Sequence, residues 1–187
     1  DHGLLLFAKG RAEKLPIDVA FPVLHGQNGE DGTVQGLFAL AGIPLVGCGV
    51  LASALCMDKG RAHGLAAAAG VSVPKSFILG QEDREEALAW GEELGFPLFV
   101  KPLRGGSSYG VTRVTARGEL PSALELAFAY DSRIILEESI LGFETGCAIL
   151  GNDALTVGGP DEVELSQGFF DFREKYAPKT SAVHNPA

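Results

Sequence analysis

The stretch KPLRGGSSYGV (101–111) decides how this chain reads. Lys101 lies near the end of the run PLFVKP (97–102), and a loop of two glycines, two serines and a third glycine follows. The chain then returns as VTRVT (111–115), so the spacing predicts a hairpin with a long tip. Residues this small let backbone N–H groups turn inward, and the hydroxyls of Ser107 and Ser108 add donors. Such a loop can cradle an oligophosphate, with Lys101 supplying fixed positive charge. It is not a Walker A loop, because no Gly-Lys-Ser/Thr closes it and no helix follows. The bland alternative is a flexible hairpin tip without a ligand.

Outward from this loop, LEESILGFE (136–144) places Glu137, Glu138 and Glu144 around a strand, a turn and a second strand. Carboxylates and backbone groups at such a connector can bind an adenine amine and ribose hydroxyls; taken alone, a solvated acidic rim is the simpler reading. Upstream, Lys59 opens a helix. Asp18–Leu24 (DVAFPVL) is expected to be a buried strand running into the glycine-rich turn HGQNGEDG (25–32). Val34, Leu37, Phe38 and Ala41 then recur at helical spacing until Gly42, and Pro44–Gly47 reads as another short strand. Strand, loop, helix and strand make a βαβ unit, hence a parallel sheet. Helices are expected over Val50–Met57, Asp58–Gly70 and Glu82–Leu94, with a further one starting near Pro121. SFIL (76–79), RIILEES (133–139) and GFETGCAILGN (142–152) read as strands, and 166–182 as a loop. A boundary near Asp58–Pro74 divides the chain into 1–58, an α+β unit 59–141 with antiparallel strands, and a third piece 142–187. The outer two lack partner strands and are expected to expose apolar edges.

Composition removes several classes. Of 187 residues, 15 are Lys or Arg and 24 are Asp or Glu; the net charge of −9 has the wrong sign for a nucleic-acid-binding face. No apolar run approaches the length of about 18 residues that spans a bilayer, so no membrane partner is expected. No signal peptide is visible either. Cys48, Cys56 and Cys147 are odd in number and form no CxxC, which indicates neither a disulfide framework nor a zinc site. They read as buried thiols in a reducing, cytoplasmic setting. The chain starts at Asp1 rather than Met and stops in HNPA (184–187), so a fragment is expected.

A lysine-led helix, a lysine-ended strand, a glycine/serine loop and an acidic connector come in one order, and that order carries a resemblance. The motifs are LHGQNGEDGTVQG (24–36), ASALCMDKGR (52–61), VKPLRGGSSYGV (100–111), CAILGN (147–152) and GFFDFREKY (168–176). Together they make the chain similar, along its whole length, to the ATP-grasp D-alanine–D-alanine ligases and their vancomycin-resistance relatives. The resemblance implies an α/β and α+β ATP-grasp architecture. On that reading 1–58 is the remainder of an N-terminal βαβ domain, 59–141 the central subdomain, and 142–187 the start of the C-terminal ATP-grasp domain. It implies that ATP, with magnesium, phosphorylates the carboxylate of D-alanine, and that the amine of a second D-amino acid attacks the acyl phosphate.

By the same resemblance, Lys59 and Lys101 match lysines that hold the ATP phosphates. Ser108 matches a loop residue near the phosphates, and Ser107 one that organises the substrate site. Glu137, Glu138, Ile140 and Glu144 match adenine and ribose positions, and Phe169 a residue flanking the adenine. Lys175 matches a lysine of the loop, here 166–182, that closes over ATP. Tyr176 matches that loop's tyrosine, which hydrogen-bonds the active-site serine, and His25 a histidine beside the first D-alanine. A homodimer of the full-length protein is also implied. The family's substrate-orienting glutamate should precede Asp1, and its catalytic arginine and magnesium ligands should follow Ala187. No metal ligand is therefore assigned within the chain, and the piece alone is expected to be inactive.

Cysteines in VGCGV (46–50), ALCMDK (54–59) and GCAILGN (146–152) resemble the resistance ligases more than the housekeeping enzymes. The resemblance also separates acceptors: D-lactate-making relatives lack the Glu-Lys-Tyr retained here as Glu174, Lys175 and Tyr176. The pattern EKYxxKTS is similar to that of the D-alanine–D-serine ligases. A neutral tyrosine also suits an amine nucleophile, which must be deprotonated. D-serine ranks first as second substrate, D-alanine second and D-lactate third. A non-catalytic nucleotide-binding module is the rival class; Tyr176, Ser107 and His25, which ATP binding alone does not require, argue against it.

Overall fold

The computed structural model describes residues 3–164 and 182–184. They fall into two compact units, one running to Val73 and including Leu103–Gly106, the other formed by Pro74–Pro102 and the described residues from Ser107 onward.

In the first unit, β1 (Gly3–Ala8) and β2 (Arg11–Pro16) form an antiparallel hairpin, with Ala8 opposite Arg11. Its two-residue turn is Lys9–Gly10, both at positive φ, a backbone whose twist suits adjacent strands. Next comes the segment expected as a buried strand. Only Ala20 of it pairs, in a parallel bridge to Leu45, held by the Ala20 N–H to Pro44 O (2.8 Å) and the Val46 N–H to Ala20 O (2.8 Å). The expected βαβ unit thus narrows to a single bridge joining the segments that flank helix α1 (Thr33–Leu40). Phe21 and Val23 stay exposed, because among the described residues no further strand pairs with this segment. Gly42 at φ 67° ends the helical turn, as its position after Ala41 predicts.

Helices α2 (Val50–Met57) and α3 (Lys59–Ala68) follow, separated at Asp58. The Asp58 carboxylate accepts the Arg61 N–H at 3.0 Å and caps α3. The three cysteines are not buried thiols: Cys48, Cys56 and Cys147 are all exposed. Cys48 lies in the connection before α2, Cys56 sits on a short helix that buries only Ser53, and Cys147 lies on an open sheet.

The second unit owns the hydrophobic core. Strands β3 (Ser76–Leu79), β4 (Leu98–Pro102), β5 (Thr112–Val114) and β6 (Ile134–Glu138) form an antiparallel sheet of order β3-β6-β4-β5. Helices α4 (Ala87–Leu94) and α5 (Leu120–Phe128) cover one face. Alternation explains which face: Leu98, Val100, Val114, Ile134, Leu136 and Leu79 point to the helices and are fully buried. Each large apolar side chain so buried contributes about 1.5–3 kcal/mol. Truncating Leu98 or Leu136 to Ala would cost about 2–5 kcal/mol through the cavity left behind. The other face carries Phe99, Lys101, Ile135 and Glu137.

The expected helix over Glu82–Leu94 begins only at Ala87. Asp83 accepts the Gly80 N–H at 2.8 Å and tightens Gln81–Asp83 into a 3-10 turn, so the acidic run serves a turn instead of a helix. Ala87 and Gly91 are buried, and Trp90 stacks on Phe77 with centroids 5.2 Å apart. A second sheet joins β7 (Glu144–Gly151), β8 (Leu155–Glu164) and β9 (Ala182–His184), antiparallel and in that order. The outer pieces therefore do not lack partner strands, since β1 pairs with β2 and β7, β8 and β9 pair with one another; Ile149, Leu150, Leu155 and Val157 are nonetheless exposed on this sheet.

Candidate active site

In the first unit the turn after Leu24 is built by its own carboxylates. Gly26 adopts φ 75°, and its N–H donates to the Glu30 carboxylate. The N–H groups of Gly29 and Glu30 both donate to Gly26 O, at 3.1 and 2.9 Å. Asp31 accepts from the Asn28 N–H at 2.8 Å and the Thr33 N–H at 3.0 Å. The Asn28 N–H chiefly, opposed by some desolvation and helped by the Thr33 hydroxyl and N–H, holds the Asp31 carboxyl below its ordinary value of 3.8. Behind the turn, the buried Gln35 amide donates to Gly29 O at 2.9 Å. His25 is presented at the start of this turn, exposed.

Lys59 reaches the chain that follows β4. Its N–H donates to Leu103 O at 3.1 Å and its ammonium to Gly105 O at 2.8 Å. Beside it, Gly106 lies against Gly26: a Cβ on Gly106 would stand 2.7 Å from the Gly26 Cα. Only glycine permits this approach. A cavity of about 510 Å³ opens here, its polar lining supplied mainly by Glu30, Gln35, Ser53 and Lys59, with Gly105 and Gly106 along one side. A cation, a carboxylate and bare backbone converge on a space large enough for a small molecule.

In the second unit, register places the charged residues. Phe99 pairs with Glu137 and Lys101 with Ile135, so Lys101 and Glu137 share the face opposite the helices as diagonal neighbours. They form an ion pair, with the Glu137 side chain 5% exposed and Lys101 24%. The Lys101 ammonium also stands 5.2 Å from the Phe99 ring centroid. The carboxylate of Glu138 turns the other way and accepts the Lys75 N–H at 2.7 Å, while its own N–H donates to Lys75 O at 3.0 Å. Ser107 and Ser108 both hold left-handed φ, 51° and 59°. Non-glycine residues adopt that region at about 1–2 kcal/mol each, a cost that concentrates at ligand-binding loops.

Thus the fold gathers Lys101 with Glu137, and Lys59 with Gly105, Gly106 and the turn of His25. It leaves Ile140 exposed on the connector to β7 and Glu144 exposed at the first position of β7 itself. Phe169, Lys175, Tyr176 and residues 166–181 of the expected loop lie outside the described residues, while Ala182, expected in that loop, begins β9. Among the described residues, no group of three or more His, Cys, Asp or Glu side chains is placed to hold a metal ion. Glu30 and Asp31 were missed by reading types and spacings; their signal was an acidic pair inside a glycine turn directly before a helix.

The chain matches two family descriptions, "D-ala D-ala ligase N-terminus" over residues 4–48 and "D-ala D-ala ligase C-terminus" over residues 65–187. It belongs to the D-alanine–D-alanine ligase family, and its fold is ATP-grasp. It is 48% identical over 179 residues to the vancomycin B-type resistance protein VanB of Enterococcus faecalis, covering 95% of this chain and 51% of that protein. To the vancomycin C-type resistance protein VanC2 of Enterococcus casseliflavus it is 50% identical over 172 residues, covering 91% and 49%. The crystal structure of the VanG D-Ala:D-Ser ligase from Enterococcus faecalis superposes with a TM-score of 0.82 at 56% identity, covering 94% of this chain and 51% of that one. The chain spans about half the length of the relatives it matches.

Proposed function

We propose that this chain is part of an ATP-dependent ligase that joins D-alanine to a second D-amino acid, D-serine, for peptidoglycan precursors and vancomycin resistance. The observation that carries the acceptor is the 56% identity to a D-Ala:D-Ser ligase across nearly the whole chain. The motif Glu174–Lys175–Tyr176 supports the same choice. In this reading ATP supplies the phosphoryl group that activates the D-alanine carboxylate, and phosphate leaves when the acceptor amine forms the amide.

The residues present fit a nucleotide. Lys101, oriented by a desolvated carboxylate, offers fixed charge to an oligophosphate. Ser107 and Ser108 hold left-handed conformations; the Ser108 hydroxyl is assigned to the phosphates and that of Ser107 to the substrate. Lys59 holds the loop backbone and adds a second cation. Glu137, Glu138, Ile140 and Glu144 form the adenine and ribose edge, and His25 flanks the D-alanine. Phe169, Lys175 and Tyr176 are assigned by the family resemblance to a closing loop that would exclude water from the activated carboxylate. Magnesium would be held by residues outside this chain. Domains 1–58, 59–141 and 142–187, a homodimeric full-length protein and a cytoplasmic location belong to the same proposal. Among the described residues no helix is long and apolar enough to cross a membrane.

The test is a competition. A full-length ligase carrying this chain receives ATP, D-alanine, and equal D-serine and D-lactate, with products separated by mass. D-alanyl-D-serine should dominate. Predominant D-alanyl-D-alanine or the D-lactate ester would overturn the acceptor, and ATP left unconsumed would overturn the ligase reading.

A further inference from the structure

We infer that Tyr130 is a positioning residue of the nucleotide site: it clamps the return arm of the glycine/serine loop. The inference rests on the proposal that this loop holds the phosphates of ATP. Tyr130 follows the last turn of α5, where its N–H donates to Ala127 O at 3.1 Å. Ala127 and Leu124 anchor that helix in the core of the second unit. The Tyr130 ring itself leaves the core, 57% exposed, and meets the loop in two ways. It stacks on Tyr109, with centroids 6.3 Å apart and planes 29° from parallel. It also lies so close to Gly110 that a Cβ there would stand 2.6 Å from Tyr130 Cδ2 and 2.9 Å from Pro102 Cγ.

These contacts explain a feature that the phosphate reading leaves open. Ser107 and Ser108 hold left-handed φ and Gly110 follows at φ 68°, while the N–H of Val111 returns to Ser108 O at 3.3 Å. A turn built from unfavourable conformations persists only when its surroundings fix it. The ring of Tyr130, rooted in the packed helix and pressed against Tyr109 and Gly110, is that fixed surface. An aromatic half exposed at a helix end gains little by burial alone; its worth lies in the loop geometry it holds.

The experiment uses a full-length ligase carrying this chain. Tyr130→Ala should raise the KM for ATP about tenfold, the scale of one aromatic pair. The KM for D-alanine and the thermal midpoint should barely move. Tyr130→Phe, which keeps the ring, should restore the ATP KM. Tyr109→Ala should act on the same parameter, and the double variant should be no worse than the worse single one, because both remove one contact. An unchanged ATP KM in Tyr130→Ala, equal changes in both KM values, or additive effects of the two alanines would overturn the clamp. A wild-type enzyme that consumes no ATP with D-alanine would instead overturn the function on which it rests.

Discussion

Lys101 and Glu137, on neighbouring antiparallel strands, form an ion pair whose carboxylate is almost wholly removed from water. A buried pair of this kind is a weak source of stability, because desolvating both ions offsets most of their attraction. In the proposed reading its value is orientation, the carboxylate holding the ammonium for an approaching phosphate.

Two consequences separate. Lys101→Ala leaves a buried carboxylate unpaired and should destabilise the fold by about 3–5 kcal/mol. It should also raise the ATP requirement strongly, by on the order of 2–5 kcal/mol for a lost desolvated contact. Replacing both partners, Lys101→Met with Glu137→Leu, should recover most of the stability while ATP dependence stays poor. Denaturant unfolding and ATP titration of the full-length ligase read the two effects independently. If the double variant recovered both, Lys101 would be structural only.

The contact of Gly106 with Gly26 makes a second prediction. A methyl at Gly106 meets backbone, which cannot rotate away, so Gly106→Ala should cost about 1–3 kcal/mol by overpacking. Gly36, inside α1, has nothing within 4 Å of its Cβ direction. Gly36→Ala should therefore stabilise by about 0.5–1 kcal/mol through backbone entropy. Unfolding midpoints that moved in the same direction for both would contradict the close approach.

These two glycines also mark where sequence reading stops. The loop 104–110, the strand PLFVKP and the helix around Leu124 were legible because period and composition are local properties. That Gly26 meets Gly106, or that Lys101 meets Glu137, depends on register between distant segments, which composition does not encode. Asp18–Leu24 looked like a buried strand because apolar runs report a preference, and its neighbours decide whether the preference is met. Residues 82–86 read as helix until Asp83 satisfied the Gly80 N–H and made a turn. The β1–β2 hairpin went unread, although Lys9–Gly10 between two short runs is a two-residue turn signal.

Asp31 supplies a pH-dependent prediction. Its folded pKa lies below the ordinary 3.8, mainly through the Asn28 N–H. A depressed carboxyl contributes stability that is fully present above the unfolded value and lost as pH falls through the folded one. Asp31→Asn should therefore be less stable than wild type near neutrality, with the gap closing below about pH 4. Unfolding free energies of the two proteins across pH 2–7 would decide it. A gap that persisted unchanged at pH 2 would mean the carboxylate's charge is irrelevant to the turn.

Lys59 tethers the loop and, in the proposed function, also binds nucleotide. Its ammonium donates to Gly105 O at 2.8 Å, a charge-assisted bond worth about 1.5–3 kcal/mol. Without nucleotide, Lys59→Ala should free the segment Leu103–Gly106, and amide exchange at Gly105 and Gly106 should quicken by roughly ten- to a hundredfold if that bond limits local opening. With nucleotide, the same variant should raise the ATP KM if, as proposed, this loop meets the phosphates. Lys59→Arg keeps the charge but replaces a point donor with a planar fork, so it should restore ATP affinity only in part. Exchange and ATP affinity moving together would make Lys59 both tether and counter-ion. Faster exchange with unchanged ATP affinity would leave it a tether alone and remove it from the nucleotide site.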